Sequence, residues 1–323
     1  MTKALICGIS GQDGSYLADS LLEQEYQVYG TSRDAQISTF QNLVFLGIRE
    51  QVQIESMALS DFRSVIQAIK KVEPDEIYNL GGQSSVALSF TQPVETLESI
   101  AVGTVYLLEA IRFLEKPIKL YNACSSECFG DTGGVPANEN TAFRPRSPYA
   151  MAKAAAYWAV ANYREAYGIF ACSGILFNHE SPLRPERFVT RKIISSACRI
   201  AKGSKEKLHL GNISIKRDWG WAPEYVEAMR LMLQAGRPDD YVIATGKSNS
   251  LEHFISIAFE RLKLNWRDHV IIDRKFFRAT DIQEGIGNSK KAFEFLKWKA
   301  NYTMSDVVRE MIDHERKLIS RNV

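Results

Sequence analysis

Tyr149 and Lys153 stand four residues apart in a segment, 148–167, that reads as one long helix. Residues i and i+4 share a helix face, so a phenol and an ammonium point the same way. An ammonium near a phenol favours the phenolate and lowers its pKa toward working pH. Such a pair can move protons while another group moves hydride. Just upstream, CSSE supplies Ser125, Ser126 and Glu127 at the end of an expected strand, KLYNACS. A hydroxyl at the C-terminal end of a parallel strand sits where such folds bind ligands, and Ser125 there can bond a substrate hydroxyl or a developing oxyanion. Glu127 is the sharper clue. Simple hydride transfer needs no carboxylate at that position, whereas abstracting a proton next to a carbonyl does.

The second chemical signal is the N-terminal run CGISGQDG. Gly8, Gly11 and Gly14 leave the backbone bare, so a pyrophosphate can approach the N–H groups at a helix start. The spacing is wider than the usual G-x-G-x-x-G. It follows a strand, 3–7 (KALIC), and opens a helix through SYLADSLLEQE; residues 27–31 (QVYGT) form the next strand. That unit spans about 30 residues, as a dinucleotide-binding βαβ unit requires. With the phenol–ammonium pair, it points to a redox enzyme. The end of the second strand chooses the cofactor, and it reads TSRD. Arg33 suits the extra phosphate of NADP and Asp34 the ribose of NAD; the arginine favours NADP, with NAD as the alternative.

A third cluster lies in FNHESPLRPERFVTRK, where Arg184, Arg187, Arg191 and Lys192 fall within nine residues. Arginine forks suit phosphate oxygens. A phosphate-bearing substrate would explain them; so would a solvated basic loop. Arg217, in IKRDWG, joins the same candidate site, whereas Trp219 reads as core.

The elements that must position these residues alternate. Strands are expected at VQIES, EIYNL, KLYNACS and ACSGILF, and helices at DFRSVIQAIKKV (with Asp61 as N-cap), 95–114 and 148–167. Such alternation argues for an α/β fold, a doubly wound parallel sheet covered on both faces. After about residue 180 the pattern loosens: a Pro- and Arg-rich loop, a helix to about 204, a short strand KLHLG, a helix over 219–235, a strand YVIAT, then short helices and loops. We expect a dinucleotide-binding domain over 1–180, with returns from about 216–247, and a smaller, interleaved substrate-binding region over 181–323.

Composition excludes several classes. Forty basic against thirty-eight acidic side chains give a net charge too small to suggest a nucleic-acid or membrane partner. No apolar run approaches a membrane span, and ALICGI is too short for a signal segment, so a soluble, unprocessed chain is expected. Cys7, Cys124, Cys128, Cys172 and Cys198 are odd in number and scattered. They argue against a disulfide framework and for a reducing cytoplasm. No His or Cys pair beside Cys124 and Cys128 completes a metal site.

Certain longer motifs carry a resemblance over nearly the whole chain: GISGQDGSYL, RPRSPYAMAK, NYREAYG, GILFNHESPLR, FVTRKI, KRDWG and FLKWK. On these the chain resembles the extended short-chain dehydrogenase/reductases and, among them, the GDP-mannose 4,6-dehydratase family. NHESP and RDWG are far more diagnostic than the glycine turn. The resemblance implies a Rossmann-like fold and a reaction with no net redox. Tyr149 takes the C4 hydroxyl proton as NADP+ takes hydride; Glu127 removes the C5 proton as water leaves C6; the hydride then returns to C6. It implies cofactor contacts at Gly8, Gly11, Gln12, Asp13, Arg33, Leu80, Gln83, Tyr149, Lys153, His179 and Arg184. It implies substrate contacts at Ser84, Glu127, Asn178, Lys192, Arg217 and Arg278, and a homodimer or homotetramer built through the loop after the second strand.

The chain also departs from that family. Ser125 stands where Thr is usual, Ala58 where an Asp helps hold the adenine, Ile100 where Asp or Asn is expected, Asp34 in place of the second of two arginines, and FRAT with Asp281 where FRP precedes Glu. Most of these changes surround the dinucleotide and the ends of the substrate site. They leave open the same chemistry on another GDP-sugar such as a GDP-heptose, a GDP-4-keto-6-deoxysugar reductase or epimerase, and a degenerate dinucleotide-binding regulator. Glu127 argues against a pure reductase; the intact Ser125, Glu127, Tyr149 and Lys153 argue against a regulator.

Overall fold

The computed structural model describes residues 1–277 and 280–321. Strand β1 (Lys3–Cys7) runs through the glycine turn into α1 (Gln12–Glu23), β2 (Gln27–Ser32), α2 (Gln41–Leu46), β3 (Gln53–Ser56), α3 (Phe62–Val72) and β4 (Glu76–Asn79). Helices α4 (Val86–Ser89), α5 (Pro93–Leu97) and α6 (Gly103–Leu114) follow, then β5 (Lys119–Ser125), α7 (Pro148–Tyr167) and β6 (Ala171–Leu176). The rest comprises β7 (Asn178–Glu180), α8 (Val189–Ala201), β8 (Leu208–Leu210), β9 (Lys216–Trp221), α9 (Ala222–Gln234), β10 (Tyr241–Ile243), β11 (Ser248–Ser250), α10 (Leu251–Arg261), β12 (Val270–Ile272), α11 (Lys290–Leu296) and α12 (Met304–Arg321).

Seven strands form one sheet in the order β10-β6-β5-β4-β1-β2-β3, every neighbouring pair parallel. The strand order reverses between β1 and β4, which opens a crevice at their C-terminal ends. Both faces are covered, as parallel strands require. Helices α1 and α9 pack on one face over Ile6, Leu17, Leu21, Tyr78, Tyr121 and Met229. Helices α3, α6 and α7 pack on the other over Leu5, Val65, Ile69, Leu107, Ile111 and Val160. The fold is α/β and doubly wound, as expected.

Local sequence accounts for the long elements. Helix α3 starts where the Asp61 carboxylate accepts from the backbone N–H groups of Arg63 and Ser64. It buries Val65, Ala68, Ile69 and Val72, one stripe at helical spacing. Helix α7 starts where Ser147 Oγ accepts from Ala150 N, with Pro148 in the first turn, and ends at Gly168 in the left-handed region.

A second apolar core gathers residues of α8, β8, β9, α10 and α12, among them Ile194, Trp219, Phe254, Phe259, Val308 and Met311. Trp219 is core, as read from sequence. Strand β9 pairs with β7 in parallel and with β11 in antiparallel; β12 pairs with β8.

Three expectations need correction. The helix expected over 219–235 begins at Ala222, because Lys216–Trp221 is drawn into a ladder with two other strands. The helix expected over 95–114 is interrupted by a π-helical segment, Glu98–Val102. The end of the chain is no mixture of short pieces: α12 is 18 residues long and packs on α8 and α10. No helix among the described residues is long and apolar enough to cross a membrane.

Candidate active site

The glycine turn has the form a dinucleotide needs. Gly8 sits at φ +84, and a Cβ there would lie 2.7 Å from the Leu80 carbonyl oxygen. A Cβ on Gly14 would lie 2.4 Å from the Gly8 oxygen, so Gly14 brings helix and strand together. Gly11 is the N-cap of α1 and no side chain caps that end, which leaves the first-turn N–H groups without a side-chain partner there. The turn lies at the end of β1, beside the run Leu80–Gln83 at the end of β4, on the crevice where the strand order reverses. Gln83 is fastened by its N–H to Ser99 Oγ (3.2 Å) and by Nε2 to Ser85 O and Thr96 Oγ1. The bare backbone, uncapped helix end and position fit a pyrophosphate. The Arg33 side chain is largely exposed, 3.9 Å from Glu95.

Residues far apart in sequence close on this turn. His179 Nε2 lies 2.9 Å from Asp13 Oδ2, and its Nδ1 lies 2.7 Å from the Phe177 carbonyl. Both ring nitrogens face acceptors, the arrangement of an imidazolium. Burial alone would lower the His179 pKa; Asp13 outweighs it and the pKa is raised. Burial likewise works against the Asp13 anion, but His179, Gln12 and Arg184 prevail and hold its pKa down at about 2. Gln12 adds a bond to the His179 carbonyl at 3.2 Å and accepts from Ser181 Oγ at 2.7 Å. Arg184 is paired with Glu180 at 3.1 Å and stacked on Phe188. Glu180 in turn accepts from Thr190 Oγ1 at 2.6 Å. Gly8, Gly11, Gln12, Asp13, His179 and Arg184 are thus one assembly.

Ser125, Glu127, Tyr149 and Lys153 gather around the end of β5. Capping by Ser147 places Tyr149 in the first turn of α7 and Lys153 one turn on. Small residues on that helix let it pack closely, Ala150 and Ala154 toward β5 and the turn after it, Ala152 and Ala156 toward the π-helical segment. Ser125 Oγ accepts from Glu127 N at 3.3 Å, which holds the short turn Ser126–Phe129 against the strand end. The Ser125 hydroxyl and the Glu127 charge both act on the Tyr149 phenol, the first lowering its pKa and the second raising it. Ser125, Glu127 and Tyr149 therefore gather at one strand end, where α7 packs on β5 and on the turn that follows it.

The ammonium does not have the effect expected from spacing alone. Lys153 Nζ donates to the Ala123 carbonyl at 2.7 Å and lies 5.9 Å from the Tyr149 ring centre. Burial raises the Tyr149 pKa well above the ordinary phenol value, Glu127 adds to the rise, and the Ser125 hydroxyl offsets only part of it. Burial also lowers the Lys153 pKa. In this state desolvation outweighs charge pairing.

The other sequence-selected residues divide. Asn178 on β7 and Arg217 on β9 sit on adjacent strands. Arg217 is buried and donates to the carbonyls of Lys216 and Ile282, each at 2.9 Å. Lys192 donates to the His209 carbonyl at 2.8 Å and lies over the Phe276 ring. Ser84 is exposed on the loop after β4. Arg278 lies outside the described residues. Arg191 belongs elsewhere: its guanidinium pairs with Glu315 of α12 at 2.5 Å and bonds Ser195, so it is a core ion pair and no phosphate fork. Arg187 stacks on Phe188. Ile100, in the π-helical segment, packs with Leu97, Ala152, Ala156 and Tyr149, giving the phenol an apolar neighbour.

Asp218 was missed. Fully buried, it accepts from Thr245 N (2.9 Å), Thr245 Oγ1 (2.6 Å) and Gly246 N (2.8 Å), tying β9 to the loop before β11. The signal is an acidic residue set between Arg217 and the Trp219-Gly220-Trp221 run.

Known proteins resemble this chain in sequence and in fold. The family model described as GDP-mannose 4,6 dehydratase matches residues 5–311. GDP-mannose 4,6 dehydratase 1 of Arabidopsis thaliana is 46% identical over 328 residues, covering 98% of this chain and 91% of that protein. GDP-mannose 4,6 dehydratase of Dictyostelium discoideum is 42% identical, covering 96% and 94%. Among solved structures, dTDP-glucose 4,6-dehydratase from Bacillus anthracis in complex with NAD aligns with a TM-score of 0.85 at 19% identity, over 98% of this chain and 97% of that one. At that identity it speaks for the fold alone. The matched model and the relatives' identity over nearly full length place this chain in the GDP-mannose 4,6-dehydratase family.

Proposed function

We propose that this site converts GDP-mannose to GDP-4-keto-6-deoxymannose, with Tyr149, Ser125, Glu127 and Lys153 as its catalytic residues. The observation that carries the reading is the gathering of Ser125 at the end of β5, Glu127 in the turn that Ser125 caps, and Tyr149 in the first turn of α7, which packs on both. In this mechanism Ser125 holds the C4 oxygen and Tyr149 accepts its proton. A ketone at C4 acidifies the hydrogen on C5, and Glu127 removes it as the C6 hydroxyl leaves as water. Lys153, anchored on Ala123, supplies the positive charge behind the phenol. When bound, the nicotinamide dinucleotide takes hydride from C4 and returns it at C6.

The dinucleotide is held at Gly8, Gly11, Gln12, Asp13, Leu80, Gln83, His179 and Arg184. Arg33 supports NADP over NAD, since its exposed guanidinium is free to turn toward a ribose phosphate. The GDP-sugar is held at Ser84, Asn178, Lys192, Arg217 and Arg278. On this reading 1–180, with returns from 216–247, serve the dinucleotide, and 181–323 mainly the sugar nucleotide. The enzyme works in the cytoplasm as a homodimer or homotetramer.

The test is product analysis after incubation with GDP-mannose and catalytic NADP. The expected product has lost one water, and the cofactor ends as it began. Unchanged GDP-mannose, or an oxidised sugar with stoichiometric NADPH, overturns the reading.

A further inference from the structure

Two cysteines bracket the catalytic turn, and the reaction has no use for them. Cys124 is the last residue but one of β5, just before Ser125, and Cys128 follows Glu127, so the run Cys-Ser-Ser-Glu-Cys encloses both proposed catalytic residues. Their sulfurs are 3.7 Å apart. Each also touches the helix that carries Tyr149 and Lys153. Cys124 Sγ lies 3.9 Å from the Lys153 carbonyl, and Cys128 Sγ lies 3.5 Å from the Ala150 carbonyl. Cys7, Cys172 and Cys198 are buried too, but none of them has another sulfur recorded beside it.

We propose that Cys124 and Cys128 are an oxidative modification site: a dithiol that a peroxide-class oxidant closes to a disulfide, switching the enzyme off reversibly. One sulfur, as thiolate, attacks a peroxide oxygen; the O–O bond breaks and a sulfenic acid forms. The second sulfur attacks the first, an S–S bond forms and water leaves. Two thiols lose two protons and two electrons, and the peroxide is reduced to two waters. The sulfurs must approach by more than an ångström to reach bonding distance. That movement pulls the ends of the Ser125–Glu127 turn together and removes both S–H contacts to α7. Serine and carboxylate then shift relative to the phenol.

The site is slow by construction. Both thiols are almost wholly buried, and burial keeps the Cys128 thiol neutral. Oxidation therefore waits on opening of the turn, and a substrate lying against Ser125 and Glu127 holds that turn shut.

Hydrogen peroxide on the intact protein tests this. Cleavage after Lys119 and Arg146 releases a peptide that contains Cys124 and Cys128 and no other cysteine. After peroxide it is expected to be lighter by two hydrogens, with activity down about 100-fold, the cost of misplacing catalytic groups by an ångström, and both changes reversed by dithiothreitol. Cys128→Ser, and separately Cys124→Ser, should keep activity under the same treatment, and GDP-mannose should slow formation of the bridge. The proposal fails if the peptide keeps its mass, or if activity falls equally in the Cys128→Ser protein. The peptide mass does not depend on the assigned reaction, so a bridge in a protein inactive on GDP-mannose would sink the functional reading and leave this site standing.

Discussion

His179 Nε2 meets the Asp13 carboxylate at 2.9 Å, joining the glycine turn to β7 across 166 residues of chain. The pair makes the dinucleotide cradle sensitive to pH. The folded His179 pKa is raised, so its contribution to stability is full below the unfolded value of about 6.5 and is lost as pH rises through the folded value. The folded Asp13 pKa is about 2, so its contribution is full above the unfolded carboxylate range and is lost as pH falls through about 2. His179→Gln is expected to cost about 2 kcal/mol near pH 6, the scale of the Asp13 shift, and less as pH rises above the ordinary histidine range. Urea unfolding across pH measures this. A cost independent of pH would show that the ion pair contributes nothing.

Glu127→Gln should separate the two halves of the reaction. Glutamine keeps the size of the side chain and the backbone bond to Ser125 but cannot take the C5 proton. Water loss is expected to fall by about 10²–10⁴-fold, the usual worth of a general base. Oxidation at C4 is expected to persist, visible as reduced-nicotinamide absorbance on mixing with GDP-mannose. Product formation at the parent rate would remove Glu127 from its role.

Lys153→Met tests how the phenol is readied. In the structure described, burial keeps Tyr149 protonated and the lysine sits on the Ala123 carbonyl. The parent kcat/KM is therefore expected to rise with pH on its alkaline side. Loss of the ammonium should move that limb to still higher pH and lower kcat by about 100-fold. An unshifted profile would mean that Lys153 only supports the helix.

These residues were legible because their signals are local. Asp61, Ser147, Pro148 and Gly168 bound their helices through bonds within a few residues, so α3 and α7 lie where the spacing predicts. The shared side of α7 that carries Tyr149 and Lys153 follows from the same periodicity. What was not legible depends on distant partners. Residues 219–221 read as helix, yet they are strand because they pair with β7, while β11 pairs with residues 216–218 just before them. The three-residue strands β8 and β10 show as apolar runs, whereas β7 (NHE) and β11 (SNS) are polar and carry no such pattern. The π-helical turn at Ile100 hides inside a continuous apolar pattern. The lowered phenol pKa failed for a related reason: spacing gives the direction of Lys153 but not how dry Tyr149 is.

Arg191 and Lys192 show the same limit, and give the last prediction. Adjacent on α8, they point about 100° apart around the helix, so Arg191 faces the core while Lys192 reaches the His209 carbonyl. Sequence reports two cations together; the fold assigns Arg191 to Glu315 at 2.5 Å. Arg191→Met leaves that carboxylate buried and unpaired, which costs about 3–5 kcal/mol. Thermal unfolding should register the loss, while KM for GDP-mannose stays within about twofold, because a change away from bound groups leaves binding free energy nearly intact. The double change Arg191→Met with Glu315→Leu should recover most of the stability, since an apolar pair can replace a buried ion pair at little cost. A KM raised tenfold with stability unchanged would return Arg191 to the phosphate site.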